Sequence, residues 1–359
     1  MMNHPVSPGL WTLAWRRLRA DRLAMVALAV VAAFIAMLLL SSTGLIVADW
    51  EDEAGVSYAP PTFIGARDAG PASAAAVQGA LPENAFDPLA DDLRAIRAAQ
   101  AQGAAIDMYG VEDPLAADLK ALGVSVAKAA LVKRDTLPFG ADKWGHDILK
   151  KTVKGAETSI VVGLVAALVA VTLGTIFGAF SGYFGGVVDD LFNWFYSVFT
   201  SIPPILMILT VAAVLQQKGV VTIVLILGLT GWTGPYRLIR AEYMKHKARE
   251  YVMAADAIGA SHWRKMFSHI FPNISHVALV QMSILVVGFI KAEVILSFLG
   301  FGVPVGVVSW GSMLNEAQNE LILGMWWQLT AAAVAMAVLV TAFSLFTDAL
   351  RDALDPKLK

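Results

Sequence analysis

The chain has 359 residues, of which 57% are hydrophobic and only 16% are charged. Soluble domains carry roughly a quarter charged residues, so this composition argues against a soluble protein. The net charge of −2 excludes nucleic-acid binding through bulk positive charge, and the absence of cysteine excludes disulfides, thiolate metal sites and cysteine nucleophiles. A mean hydropathy of +0.63 indicates a polytopic membrane protein.

Six runs with few or no charged residues predict the membrane spans, because a helix needs about 20 apolar residues to cross the hydrocarbon. In chain order the runs are residues 23–48, 158–188, 191–217, 219–236, a run that starts at Ile274 and is interrupted only by Lys291 and Glu293, and residues 321–347. The sequence therefore predicts an all-α protein with six transmembrane helices and with both termini on the same side.

The distribution of lysine and arginine predicts which side that is. Basic residues cluster in the N-terminal tail, after the fourth span and in the C-terminal tail, whereas the short loops on the other side hold only Lys218. Basic loops stay in the cytoplasm, so both termini are expected there. The predicted organisation is a basic segment (1–22), a first transmembrane helix (23–48), an extracytoplasmic insert (49–150), a five-helix core (151–350) with a cytoplasmic loop at 242–273, and a tail (351–359).

The predicted insert is hydrophilic and acidic. Residues 49–150 contain 16 acidic and 9 basic residues, a balance of −7. Two similar stretches within it start at Asp87 and Asp113, and each places Pro directly after Asp. Asp is a good N-cap and Pro is tolerated at the first helical position, so the stretches predict two short capped helices.

The sequence lacks the motifs of the common catalytic sites. It has no Gly-Lys dipeptide, which excludes a P-loop, and it has neither a His-Glu-x-x-His nor a Gly-x-Ser-x-Gly motif. His262, His269 and His276 are seven residues apart, about 10.5 Å along a helix, which is too far to share one metal ion. We therefore predict no catalytic residue and no metal ligand in this chain.

The cytoplasmic loop has the pattern of two helices joined by a tight turn. Residues 247–258 are acceptable helix formers, and Gly259 can adopt the left-handed conformation that ends a helix. Ser261 can cap a second helix, which is expected to finish before Pro272. The small side chains before the turn favour close docking on a soluble partner, although an ordinary basic loop would show the same periodicity.

This segment resembles the Glu-Ala-Ala-(x)3-Gly-(x)9-Ile-x-Leu-Pro loop of ABC-importer permeases, which docks on the cytoplasmic ATPase subunit. Met253 stands where the family has Glu, and Phe271 where it has Leu. The resemblance implies that an ATPase-coupling loop is formed by Met253, Ala254, Ala255, Asp256, Gly259, Ala260 and Pro272.

Further motifs resemble the dipeptide, oligopeptide and nickel branch of that family. They include residues 138–147, 182–189, 249–252, 296–302, 309–311 and 350–356. The resemblance implies the second permease subunit of a peptide-type importer in a bacterial inner membrane. Such a subunit pairs with a homologous permease, with two ATPase subunits that use ATP and Mg, and with an extracytoplasmic binding protein. The subunit itself binds no cofactor. Nickel or another small solute is the alternative substrate.

Two ionisable residues interrupt the fifth predicted span. Lys291 and Glu293 are two residues apart, so they point about 200° away from each other on a helix and cannot pair. Ionisable residues in a span normally face a partner or a water-filled cavity. We expect one to face the translocation pathway and the other the partner permease, with snorkelling of Lys291 as the alternative.

Two other classes of membrane protein would need features that the sequence does not indicate. A secondary transporter would need inverted repeats and paired broken helices, and the sequence indicates neither. An intramembrane hydrolase would need a buried nucleophile with a base, and no predicted span offers that pair.

Overall fold

The computed structural model describes residues 10–65, 133–304 and 306–354, and the predicted all-α class is confirmed for them. They form eleven α-helices and one π-helical segment: α1 (Leu10–Ala20), α2 (Arg22–Ser42), α3 (Ile148–Phe184), α4 (Gly186–Thr200), α5 (Pro204–Leu215), α6 (Val220–Thr230), α7 (Thr233–Lys247), α8 (Glu250–Ala257), the π-helical segment (Arg264–Ile270), α9 (Phe271–Phe298), α10 (Trp310–Ile322) and α11 (Trp327–Leu354).

Four of the described helices are long and apolar enough to cross a membrane. They are α2, α3, α11 and the continuous helix Arg264–Phe298, which joins the π-helical segment to α9. They overlap the first, second, sixth and fifth predicted spans, although α2 ends before residue 48, α3 ends before residue 188 and α11 begins after residue 321. Asp147 caps α3 by accepting hydrogen bonds from the N–H groups of Leu149 and Lys150, so this helix begins well before residue 158.

The third predicted span, residues 191–217, is not one straight helix. It corresponds to α4 and α5, which are bent by 84° at a short break. The break contains Pro203 and is followed by Pro204 at the start of α5. Proline lacks an amide donor and disfavours helical geometry in the residue before it, so the chain turns here. Counted as one span, this pair brings the number of candidate spans in the described residues to five.

The fourth predicted span, residues 219–236, is divided between two helices. Only the 11 residues of α6 form its apolar part, and α7 begins after Gly231 and Trp232. A Cβ atom at Gly231 would lie 2.3 Å from Cζ of Phe289, so the close approach of α9 requires glycine here. The total of six spans, and the side of the membrane on which the termini lie, therefore stay predictions.

A ridge of glycines brings the backbones of α3 and α7 together. Gly174, Gly178 and Gly182 recur every four residues on one face of α3. A Cβ atom at Gly178 would lie 2.8 Å from the carbonyl oxygen of Tyr236, and one at Gly182 would lie 2.5 Å from that of Arg240. Small residues at this spacing let membrane helices pack backbone to backbone.

Two apolar clusters lie at different levels of the helix assembly. The larger one joins α3, α5, α6, α9, α10 and α11, with Trp310 and Leu227 completely buried in it. The smaller one joins α3 and α7 to the candidate coupling loop, through Tyr183, Tyr243 and Met266. The loop is thus packed on the membrane helices by apolar side chains.

The described ends of the predicted insert pair with each other. The N–H of Val56 donates to the carbonyl of Arg134 at 3.0 Å, and that of Gly55 donates to the carbonyl of Gly145 at 2.9 Å. The indole N–H of Trp327 donates to the carbonyl of Ala141 at 2.7 Å, which fastens this unit to α11. The two short helices predicted from Asp87 and Asp113 lie outside the described residues.

The glycine ridge generates a stability prediction. Gly178→Ala is expected to lower the unfolding free energy of the protein by about 1–3 kcal/mol, because the new methyl group must push α7 away. The matched control is Gly288→Ala in α9, where a Cβ atom has no neighbour within 4 Å. Thermal unfolding of the purified complexes in detergent checks this. Equal melting temperatures for the two variants would contradict the close packing of α3 and α7.

Candidate functional site

The Gly259 turn of the candidate coupling loop has the predicted geometry. Gly259 has φ +78°, in the left-handed region. Its N–H donates to the carbonyl of Asp256 at 2.9 Å, and the N–H of Ala260 donates to that of Ala255 at 3.0 Å. This pair of bonds is the Schellman motif, which ends a helix and favours glycine at this position. The first helix is shorter than predicted, since α8 begins only at Glu250, after Arg249 adopts an extended conformation.

The second helix of the loop does not finish before Pro272, so that prediction is wrong. Ser261 accepts a hydrogen bond from the N–H of Arg264 at 3.3 Å, as expected of a cap. The chain then continues through the π-helical segment directly into α9. The N–H of Phe271 donates to Met266, five residues back, and Pro272 lies in the first turn of α9. The wider turn accommodates the proline ring, so the helix continues.

The residues of the candidate coupling loop divide into an exposed and a buried face. Val252 is buried in the smaller apolar cluster, and Ala255 is also buried. The exposed residues form what we call the coupling tip: Met253, Ala254, Asp256, Ala257, Ile258 and Gly259. Ala260 is half-buried and Pro272 is exposed. Ala255 therefore lies beneath the tip, whereas the sequence pattern had placed it beside Ala254.

Polar contacts fasten the coupling tip to the membrane helices. Asp256 accepts a hydrogen bond from the buried ammonium of Lys265 across the glycine turn, and this bond lowers the pKa of Asp256. The hydroxyl of Tyr183, near the end of α3, is 2.9 Å from Nδ1 of His262. The hydroxyl of Tyr243 on α7 donates to the carbonyl of Met266 at 3.2 Å. The tip is thus bonded through Asp256 to Lys265, and the neighbouring residues His262 and Met266 are bonded to α3 and α7.

A second polar cluster, which the sequence reasoning missed, joins the same helices. The Arg240 guanidinium donates two hydrogen bonds to Asp189 at 2.6 and 2.5 Å, and Asp189 also accepts bonds from Ser181 and Asn193. Bidentate geometry of this kind defines both distance and orientation. Asp189 is the last residue of the motif at 182–189. The motif indicates the family but not the contact that Asp189 makes.

Lys291 and Glu293 occupy different environments. Glu293 is completely buried inside the subunit, where Ser159 donates to one carboxyl oxygen at 2.6 Å and Ser297 to the other at 2.7 Å. Ser159 also accepts the N–H of Trp310 at 3.3 Å, so Glu293 connects α3, α9 and α10. Lys291 is exposed on the surface of α9. Of the pair, only Lys291 is exposed, and its role at a partner or in the pathway stays a prediction.

A third cluster lies at the opposite end of α3 from the coupling tip. The Lys151 ammonium donates to Asp142 at 2.7 Å and to Glu316 at 2.6 Å, and all three groups meet beside Gln328. Burial alone would raise the pKa of Asp142, but the Lys151 ammonium and the hydrogen bonds of the cluster hold it below its ordinary value. The cluster joins the insert, α3, α10 and α11. Asp142 belongs to the motif at 138–147, whereas nothing in the sequence singled out Glu316.

Glu320 lies in the same region and is buried without a hydrogen bond. It is 2% exposed, and neither of its carboxyl oxygens has a hydrogen-bond partner. Burial, together with the negative charges of Asp142 and Glu316, raises the pKa of Glu320 from 4.5 to about 7, while Lys151 acts in the opposite direction. Since Lys151 is already neutralised by two carboxylates, a third one is favoured in its protonated form.

Glu320 predicts a stability that declines toward alkaline pH. Its pKa is raised in the folded state, so its contribution is complete below about 4.5 and is lost as the pH rises through about 7. The wild-type protein is expected to lose more thermal stability than Glu320→Gln between about pH 5 and about pH 8. Melting curves of the two proteins across this range check it. Parallel curves would show that Glu320 is ionised in the folded state throughout.

Two family models match parts of this chain. The family model described as the binding-protein-dependent transport system inner membrane component matches residues 174–359. A second model, the N-terminal TM domain of oligopeptide transport permease C, matches residues 9–61.

Three curated relatives carry names of transport permeases. The dipeptide transport system permease protein of Bacillus subtilis is 35% identical over 240 residues, which are 66% of this chain and 75% of the relative. The oligopeptide transport system permease protein of the same organism is 37% identical over 221 residues, 62% of this chain and 72% of the relative. The peptidoglycan transport system permease protein of Agrobacterium fabrum is 33% identical over 218 residues, 61% and 56% of the two chains. With its family model spanning residues 174–359, this chain belongs to the family of inner membrane components of binding-protein-dependent transport systems.

Proposed function

We propose that this chain is a permease subunit of an ABC importer for peptides, and that the coupling tip docks on a cytoplasmic ATPase subunit. The observation that carries the proposal is the coupling tip itself, an exposed surface that includes Ala254, Ala257 and Gly259 and ends in a Schellman turn. The residues that follow the turn are bonded to α3 and α7. The dipeptide and oligopeptide permeases to which the chain is similar support peptides as the substrate.

In the proposed mechanism the chain moves without catalysing a reaction. Two ATPase subunits use ATP and Mg, and their closure displaces the coupling tip. Asp256 of the tip is bonded to Lys265. Because His262 is bonded to Tyr183 of α3 and Met266 to Tyr243 of α7, the displacement reaches both helices together. A homologous permease forms the other half of the pathway, and an extracytoplasmic binding protein delivers the substrate. This is rigid-body switching between two states of an assembly.

Of the two alternatives, only the secondary transporter differs from the proposal in what the described residues should show. Import of nickel or another small solute uses the same architecture and differs only in the delivered ligand. A secondary transporter would be expected to show broken helices in both halves of its sequence. The described residues contain one bent pair, α4 with α5. A secondary transporter would also have no use for a coupling tip.

The docking proposal is tested by Ala254→Trp, which adds a large side chain to the exposed tip without touching the apolar cluster beneath it. Overpacking a close contact costs roughly 1–3 kcal/mol, so ATPase binding is expected to weaken about tenfold or more. Uptake of a labelled dipeptide by proteoliposomes containing the complete importer should fall accordingly. Ala255→Trp is unsuitable as a blocking variant, because Ala255 is buried and its replacement would disturb the fold.

The matched control is Ala241→Trp, which alters an exposed alanine of α7 away from the tip. It should import the dipeptide and retain the ATPase subunits like the wild type. If Ala254→Trp did the same, the tip would not be the coupling element. If wild-type proteoliposomes imported Ni²⁺ but no peptide, the docking proposal would stand and the proposed substrate would be wrong.

We propose that the acidic insert contributes to docking of the binding protein. The support is its charge of −7 over residues 49–150 and the fastening of its two ends to α11. Removal of residues 66–132, with a short linker from Gly65 to Lys133, keeps the described ends of the insert. The importer should assemble, while stimulation of its ATPase activity by loaded binding protein should decrease. Unchanged stimulation in this variant would indicate an insert without a role in docking.

A further inference from the structure

A cavity of about 580 Å³ lies beside the candidate coupling loop, between α7, α9 and the end of α11. This volume is in the range of small-molecule sites, roughly 300–1,000 Å³. Its lining includes Lys245, Arg249 and Arg351, against one carboxylate, that of Glu242. Glu242 already pairs with Lys245 at 2.9 Å. Arg249 and Arg351 form no ion pair with a described residue, so two guanidinium groups are available for an anion.

The opposite end of the cavity is lined mainly by apolar side chains, with Gln281 as a polar neighbour. Leu238 on α7 and Val280 and Ile284 on α9 line it, and Leu238 and Ile284 are exposed. His276, at the polar end, is eight residues before Ile284, which is about 12 Å along the helix. The cavity is thus cationic at the end of the helices and apolar toward their middle.

The electrostatic environment of His246, which also lines the cavity, is consistent with this polarity. Burial lowers the pKa of His246, and Lys245, Arg249 and His276 lower it further, whereas Glu242 alone opposes them. Burial disfavours a charge of either sign, whereas the three basic side chains disfavour a further positive charge and favour an anion.

We propose that this cavity binds an anionic phospholipid, with its phosphate between Arg249 and Arg351 and the start of its acyl chains against Leu238, Val280 and Ile284. Guanidinium groups bind phosphate oxygens through paired hydrogen bonds, and basic pockets between membrane helices accept lipid headgroups. A free phosphate compound would use the basic end alone and leave the apolar end unexplained. Arg249 immediately precedes α8, so the lipid would contact the base of the coupling element.

The experiment is native mass spectrometry of the complete importer, titrated with phosphatidylglycerol or with phosphatidylcholine of the same chains. Phosphatidylglycerol is expected to be retained preferentially. The double variant Arg249→Gln/Arg351→Gln should bind it on the order of 30-fold more weakly, since each basic group near an anionic headgroup contributes roughly fivefold. Arg237→Gln is the matched control, because Arg237 is an exposed arginine of α7 outside the cavity lining.

A conservative variant separates binding from misfolding. Arg249→Lys/Arg351→Lys keeps both charges and should recover most of the preference for phosphatidylglycerol. Equal retention of the two lipids by the wild type, or equal retention of phosphatidylglycerol by the wild type and the double Gln variant, would overturn the proposal. Displacement of the lipid by glycerol phosphate at matching concentration would overturn the lipid as ligand, since the acyl chains would then contribute nothing.

Discussion

The backbone contact between α3 and α7 is the constraint on which the rest of the described structure depends. Gly174, Gly178 and Gly182 leave no space for a Cβ atom against α7. In a bilayer the hydrophobic effect does not draw helices together, so close van der Waals contact must do so. The contact places the part of α7 from Pro235 to Tyr243 beside α3. The helix α8 of the coupling loop begins three residues after α7 ends.

Polar clusters at both ends of α3 define how its neighbours are arranged. Near the coupling loop, Asp189 of α4 accepts hydrogen bonds from Ser181 of α3 and from Arg240 of α7. At the other end, Lys151 with Asp142 and Glu316 connects α3 to the insert and to α10. Buried ion pairs contribute little net stability, because desolvation opposes the attraction. Removing one partner is destabilising, however, so such pairs select one arrangement of helices over the others.

Packed side chains connect the coupling loop to the interior of the subunit. Apolar packing joins Val252 and Met266 to Tyr183 and Tyr243 on the membrane helices. Farther along α9, Glu293 and its two serine partners join that helix to α3 and α10. Both carboxyl oxygens of Glu293 therefore accept hydrogen bonds from serines of the same chain. Packed interiors of this kind have low compressibility and transmit strain.

The sequence by itself determined the helical class, four of the candidate spans, the turn at Gly259 and the cap at Ser261. These features depend on hydrophobic runs and on residues within about five positions of each other, which a sequence shows directly. Only the tertiary structure decided the inward position of Ala255, the burial of Glu293 and the cluster around Lys151. Lys151 and Glu316 are separated by 165 residues. Their contact depends on how α3 and α10 pack, and no local spacing in the chain encodes that packing.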